Sequence, residues 1–160
     1  SGVRVLQDSL DKRSINIAVD CEGHAPKEIR TQESQFHQMI VNLVKNAMEA
    51  IDDLAASGRR QESPRIQIRA YVEGEFLNLD VSDNGIGIVV KNQKMLFTAG
   101  YTTKKSGSGF GLNSVANFVR GSGGQIHPIS DGIGKGTTMR IRLRLSAVAP
   151  WKKVDRSETS

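Results

Sequence analysis

The sequence predicts an α/β sandwich of two layers, a mixed sheet covered on one face by helices. Two observations carry this expectation. Segments with an alternating apolar period are interspersed with segments of helical period, and two of the alternating segments lie close enough to form a hairpin. At 160 residues the chain fits one domain with room for a real core. Hydrophobic content of 38% and charged content of 24% are those of an ordinary soluble globular protein, so the order of elements must decide the architecture.

Residues 1–12 read as the end of a preceding helix or linker, 13–146 as the domain, and 147–160 as a polar tail expected to be disordered at its end. Ile15, Ile17 and Val19 alternate with polar residues and predict a short strand with one buried face. Gly23 and Pro26 punctuate it, and a brief second strand is expected at 28–31. Ser34 stands where it could cap a long helix over 35–54. In that helix Phe36, Ile40, Leu43, Ala47, Ile51 and Leu54 draw a single apolar stripe. A polar loop over 55–64 leads to two strands, one marked by Ile66, Ile68, Ala70 and Val72, the other by Leu77, Leu79 and Val81. Glu73-Gly74-Glu75 is the turn between them.

Residues 89–106 have no strong helix signal except near 91–97. They are long for a connection in a compact domain, which favours a functional or mobile loop. Residues 110–120 read as a helix with Leu112, Val115, Ala116 and Val119 on one side, closed by the glycines at 121–124. Strands follow at 125–129 and 138–145, the second with Met139, Ile141, Leu143 and Leu145 inward. Gly132-Ile133-Gly134-Lys135-Gly136 runs into a strand, not a helix, and reads as a plain turn.

Net charge is +5, but the basic residues are dispersed, and Arg140, Arg142 and Arg144 alternate with apolar residues as on a solvated sheet face. A nucleic-acid groove is the sharper reading of that stripe. With aromatics at only 5% and no binding signature beside them, no nucleic-acid partner is expected. The single cysteine, Cys21, excludes an internal disulfide and a Cys-rich metal site, and fits a reducing compartment. There is no signal peptide and no run long enough to span a bilayer.

Three stretches carry chemistry. On the long helix, Asn42, Asn46, Glu49 and Asp53 follow the spacing of the apolar stripe and form a polar edge beside it. Asn is a poor helix former, so Asn42 and Asn46 are either solvated residues of a wet face or are there for their side-chain oxygens. A carboxamide oxygen is a neutral hard ligand, suited to a Mg²⁺ that keeps waters and also binds phosphates. In Asp83-Asn84-Gly85-Ile86-Gly87, Asp83 shares the parity of Leu77, Leu79 and Val81, so a carboxylate points to the core side where the strand ends. An arginine, a backbone N–H or a ligand amine must meet it. Gly85 and Gly87 let the backbone turn and approach a flat ligand, although a simple Asp-Asn-Gly turn reads the same way. Gly107-x-Gly109-x-Gly111 opens directly into a helix and would offer N–H groups to an anion. Thr102-Thr103-Lys104-Lys105 precedes it, either as a solvated basic loop or as groups along a polyphosphate.

Taken together, Asn42-Leu43-Val44-Lys45-Asn46-Ala47, Asp83 to Gly87, Leu96-Phe97 with Tyr101-Thr102-Thr103-Lys104, and Gly107-Ser108-Gly109-Phe110-Gly111-Leu112 resemble a known set. In order and spacing they look like the Asn, first Gly, Phe and second Gly boxes of sensor histidine kinases. The resemblance implies the catalytic and ATP-binding domain of that family, of the wider gyrase-like and chaperone ATPase superfamily, with a Bergerat-type fold and a mixed, mostly antiparallel sheet. It implies that Asp83 accepts a proton from the adenine amine and that Gly85 and Gly87 shape the adenine pocket. Asn46 would bind Mg²⁺, Asn42 would lie beside the phosphates, and residues 91–106 would be a lid over ATP. Thr102, Thr103, Lys104, Gly107, Gly109, Gly111 and Leu112 would line the phosphate end. Two departures are visible: Ala99-Gly100 stands where the family often has Pro-Phe, and Glu49 where many members carry a basic residue.

Related ATPases place a Glu four residues before the magnesium-binding Asn, as base for the attacking water. Here that residue is Asn42, which cannot accept a proton at neutral pH, and this favours transfer to a histidine over hydrolysis. His24, His37 and His127 lack the family's acceptor setting, so the acceptor helices are expected before residue 1. The resemblance thus implies a protein-histidine kinase domain using ATP and Mg²⁺, with the acceptor domain and a response regulator as partners. It implies a monomer for this domain, a homodimer for the parent, and a cytoplasmic location whether or not the parent is membrane-anchored. The alternative is a nucleotide-binding regulatory module without transfer activity.

Overall fold

A computed structural model describes Asp8 and residues 10–22, 33–59, 62–89, 92–93 and 110–144. Alternation decides which side of its sheet is covered. The elements in order are β1 (Asn16–Glu22), α1 (Glu33–Ala56), β2 (Arg65–Glu73), β3 (Phe76–Asp83), α2 (Phe110–Gly121), β4 (Gln125–Ile129) and β5 (Thr137–Arg144). The five strands form one sheet in the order β1-β2-β3-β5-β4. β1 runs parallel to β2, and the other three pairs are antiparallel, as the expected mixed sheet requires. Alternate residues of the central strands, including Ile66, Leu77, Leu79, Val81, Ile141 and Leu143, are buried on the face that the helices cover. Arg65, Gln67, Arg69, Arg140, Arg142 and Arg144, at the intervening positions, are exposed. This is the two-layer sandwich that the pattern predicted.

α1 supplies most of the covering layer. Leu43, Ala47, Ile51 and Leu54 of the expected stripe are buried, and Phe36 and Ile40 are partly so. Met39, Val44 and Met48 are buried as well, so the apolar face is wider than the stripe suggested, because α1 also packs against α2. The helix begins at Glu33, one residue before its expected cap. One expectation fails on β1. Val19 pairs with Ile68 in register but is 65% exposed, because β1 is an edge strand and the helices lie over β3, β4 and β5.

Ahead of β1, residues 10–12 end a helical turn. Ile15 N–H donates to the Leu10 carbonyl and Ser14 N–H to the Asp11 carbonyl, both at 3.0 Å, which is a Schellman closure. Its left-handed position is held by Ser14 at φ +53°, and the flanking Leu10 and Ile15 are buried. Arg13 Nε meets the Asp52 carboxylate at 3.1 Å and ties this turn to α1.

The open face of the sheet is polar. Arg140 forks onto Asp80, Nε to Oδ1 at 3.1 Å and Nη2 to Oδ2 at 3.2 Å. The strand expected at 28–31, residues 94–109 and everything from residue 145 lie outside the described residues. Among the described residues no helix is long and apolar enough to cross a membrane.

Candidate functional site

β3 carries Asp83 out to the edge of the helix-covered face, in line with Leu77, Leu79 and Val81. There its Oδ1 accepts the Gly85 N–H at 2.8 Å, an Asx turn that reverses the chain. Of the three partners that could have met this carboxylate, a backbone N–H is one that does. Asn84 fixes the turn from outside: its Oδ1 accepts from Arg65 N–H at 2.9 Å and its Nδ2 donates to the Ser63 carbonyl at 2.8 Å.

The loop then seats on α1. Ile86 N–H donates to the Ala50 carbonyl at 2.9 Å, and a Cβ on Gly85 would stand 2.5 Å from the Ala50 carbonyl carbon. Glycine is required there for the close approach. At Gly87, φ is +78° and a side chain would run into the Gly132 carbonyl oxygen.

A cleft opens between this loop, α1 and the sheet. Its apolar walls include Leu43, Ile88, Leu112 and Met139, and its polar groups are Asn46, Asp53, Asp83 and Thr137. It encloses ≈ 50 Å³. At the other end, the first turn of α2 passes Asn42, with a Cβ on Gly111 reaching 4.0 Å from Asn42 Cγ. Asn42 Oδ1 accepts from Gln38 Nε2 at 3.0 Å, and its amide still has N–H donors to offer. α2 has no acidic residue in its first turn, so nothing there repels an anion from its N-terminus.

The structure therefore brings Asp83, Gly87, Asn46 and Leu112 to one cleft, with Gly85 beneath its rim and Asn42 beside Gly111. Glu49 lies half-buried on α1 and Asp53 is in the cleft wall. Thr102, Thr103, Lys104, Gly107 and Gly109, and with them almost all of the expected lid, lie outside the described residues. His37 and His127 are exposed on α1 and β4, and His24 is not described. Among the described residues no cluster of His, Cys, Asp or Glu could hold a metal unaided. A cation at Asn46 would need phosphates and water for its other ligands, which suits Mg²⁺ on a nucleotide and not a structural metal.

Sequence reasoning missed two parts of the site. Thr137, buried and directly across the ladder from Asp83, falls one residue before the strand start that alternation suggested. The Gly132–Gly136 segment is a turn between strands, as expected, but it also buttresses the Asp83 loop. Gly134 N–H donates to the Ile86 carbonyl at 2.5 Å and Gly136 N–H to the Gly85 carbonyl at 3.1 Å. Its glycine spacing was the available signal.

The profile of the histidine kinase-, DNA gyrase B-, and HSP90-like ATPase family matches residues 31–147. The chain belongs to this family. Within it, similar proteins are sensor kinases. Sensor kinase CckA of Brucella abortus (strain 2308) is 29% identical over 149 residues, 88% of this chain and 16% of that protein. Nitrogen regulation protein NtrY of Azorhizobium caulinodans is 34% identical over 128 residues, 80% of this chain and 16% of that protein. The chain thus spans about a sixth of the length of these two relatives. Among solved structures, the nucleotide-free catalytic domain of histidine kinase ThkA superposes with a TM-score of 0.70 at 19% identity, over 89% of this chain and 87% of that one. That likeness shows a shared fold.

Proposed function

We propose that this domain binds Mg-ATP in the cleft and passes the γ-phosphoryl group to a histidine on a helical dimerisation domain of the same protein. The observation that carries the reading is Asp83 at the end of an apolar cleft whose wall also holds Asn46. The purine ring would lie between Ile88, Leu112 and Met139, with its exocyclic amine donating to Asp83. Thr137, opposite Asp83 in the ladder, completes the polar end of the slot. Asn42 and the N–H groups opening α2 would orient the phosphates. Thr102, Thr103, Lys104, Gly107 and Gly109 would extend that contact.

Asn46 Oδ1 would hold Mg²⁺ together with phosphate oxygens and waters. A bound Mg²⁺ supplies neutralisation of the phosphate charge. Asn42 stands where a hydrolytic relative would carry a Glu, and a carboxamide takes no proton from water. An imidazole acceptor brings its own lone pair, so the chain's part is to align and screen. The parent would be a homodimer through its acceptor helices, with this domain monomeric and cytoplasmic, and a response regulator would receive the phosphoryl group.

Calorimetric titration of ATP and GTP, with and without Mg²⁺, tests the pocket. GTP presents a carbonyl where ATP presents an amine, so it should bind about 100-fold more weakly. In Asp83→Asn, ATP should weaken by about the same factor and the preference should narrow, since the new amide can donate. Equal binding of both nucleotides, or no effect of the substitution, would overturn the assignment. Phosphohistidine formation by the parent protein with its helices tests the transfer step, and binding without transfer would leave the regulatory module.

A further inference from the structure

The glycine turn between β4 and β5 has a side chain at its root that touches both loops of the site. We propose that Ser130 is a positioning residue for nucleotide binding, holding the Asp83–Ile88 loop in its binding shape before the ligand arrives. The inference rests on the nucleotide reading of the cleft.

The geometry around the hydroxyl is saturated. Ser130 Oγ donates to the Gly136 carbonyl at 2.7 Å, which takes its one proton in preference to the Gly132 carbonyl at 3.4 Å. It accepts the Ile88 N–H at 3.0 Å and the Gly132 N–H at 3.3 Å. One donor and two lone pairs are thus all in use. The Ser130 carbonyl in turn accepts from Gln93 Nε2 at 3.2 Å. The same residue therefore anchors the far end of the Asp83 loop, closes the glycine turn on itself, and holds the short helical turn at Asn92–Gln93 that follows.

The neighbouring contacts are made by backbone, through Gly134 to Ile86 and Gly136 to Gly85. Gly87 packs so closely on Gly132, and Gly136 on the Asp83 carbonyl, that neither tolerates a Cβ. The Ser130 hydroxyl reinforces this backbone seam by reaching across it to the Ile88 N–H. Without it, the Ile88 N–H and the Gly136 carbonyl lose a partner, and the loop carrying Gly85 and Gly87 samples shapes that do not fit a purine. The loss then appears as a cost of ordering on binding.

The test compares the wild-type chain with Ser130→Ala and Ser130→Thr. Ser130→Ala should weaken ATP binding about 10-fold, as loss of one or two hydrogen bonds implies, and Ser130→Thr should restore most of it by returning the hydroxyl. In the nucleotide-free protein, amide exchange at 85–88 should quicken at least about 10-fold in Ser130→Ala while the amides of β3 and β5 stay protected. Unchanged affinity in Ser130→Ala overturns the proposal. So does exchange that quickens uniformly across the sheet, which would mark Ser130 as merely structural. Failure of the wild-type chain to bind ATP would instead overturn the nucleotide reading itself.

Discussion

Two carboxylates three residues apart on β3 have opposite fates. Asp80 points to the open face and Asp83 to the helix-covered face, because strand side chains alternate. Asp80, with its side chain only 11% exposed, has both oxygens on the guanidinium fork of Arg140. That pair is complete within the sheet, and the carboxylate and hydrogen bond of Asp80 hold the Arg140 guanidinium above its ordinary pKa. A cation raised in the folded state stabilises below its unfolded pKa, so the contribution of the Arg140 guanidinium is present at ordinary pH and is lost as the pH rises into strong alkali. Asp83 instead anchors a turn through Gly85 N–H and lines a cleft. A carboxylate on a strand is left as a candidate site when its surroundings leave an apolar slot beside it, and acts as a strut when an arginine closes over it.

The sharpest way to break the contrast is to unseat the loop that places Asp83 at the cleft. Gly85→Ala places a Cβ against the backbone of Ala50 and Ile51, neither of which can yield. Unfolding stability should drop by about 2–3 kcal/mol, and nucleotide binding should vanish in a titration of the variant that remains folded. Next in size is Asp83→Asn, which keeps an acceptor for Gly85 N–H. Its effect should be almost wholly on the ligand, with ATP affinity down about 100-fold and the urea midpoint scarcely moved.

Asp80→Asn is the mirror experiment. It should leave ATP affinity within about twofold and lower stability by about 1 kcal/mol, discounted because Arg140 is 54% exposed and stays solvated. Urea unfolding with an unchanged slope would read that as lost stability of the native fold. A drop in nucleotide affinity from Asp80→Asn would show that the two faces of β3 are coupled and would undo the comparison.

This division was half legible in the sequence. Parity placed Asp83 on the core side, and the periodicity of α1, α2 and the hairpin gave both layers and the Asn-bearing edge. What alternation could not supply was the order of strands, the parallel pairing of β1, or the exposure of Val19 at the sheet edge, since these follow from where the helices lie. Ser130 and Thr137 were also out of reach. Their importance comes from a backbone seam between two loops, and such contacts have no period and no characteristic residue type. The glycine run at 132–136 was visible but looked like an ordinary turn, because the feature that matters is how closely a second backbone packs on it.

The smallest expected effect sets the floor for these measurements, and it comes from a pair of helix ends. α2 closes with Gly124 N–H on the Val119 carbonyl at 2.9 Å and Gly123 N–H on the Arg120 carbonyl at 3.0 Å. The left-handed position there is Gly123, at φ +72°. The turn before β1 closes the same way but places Ser14 at φ +53°. A non-glycine residue in that conformation costs about 1 kcal/mol, part of which glycine gives back as entropy of the unfolded chain. Ser14→Gly should therefore raise stability by roughly 0.5 kcal/mol, seen as a small upward shift of the melting temperature. Ser14 touches neither carboxylate, so ATP affinity should not change. If it did, general stability would be feeding into binding, and the effects of Asp80→Asn and Asp83→Asn would have to be corrected for it before the two faces of β3 could be called independent.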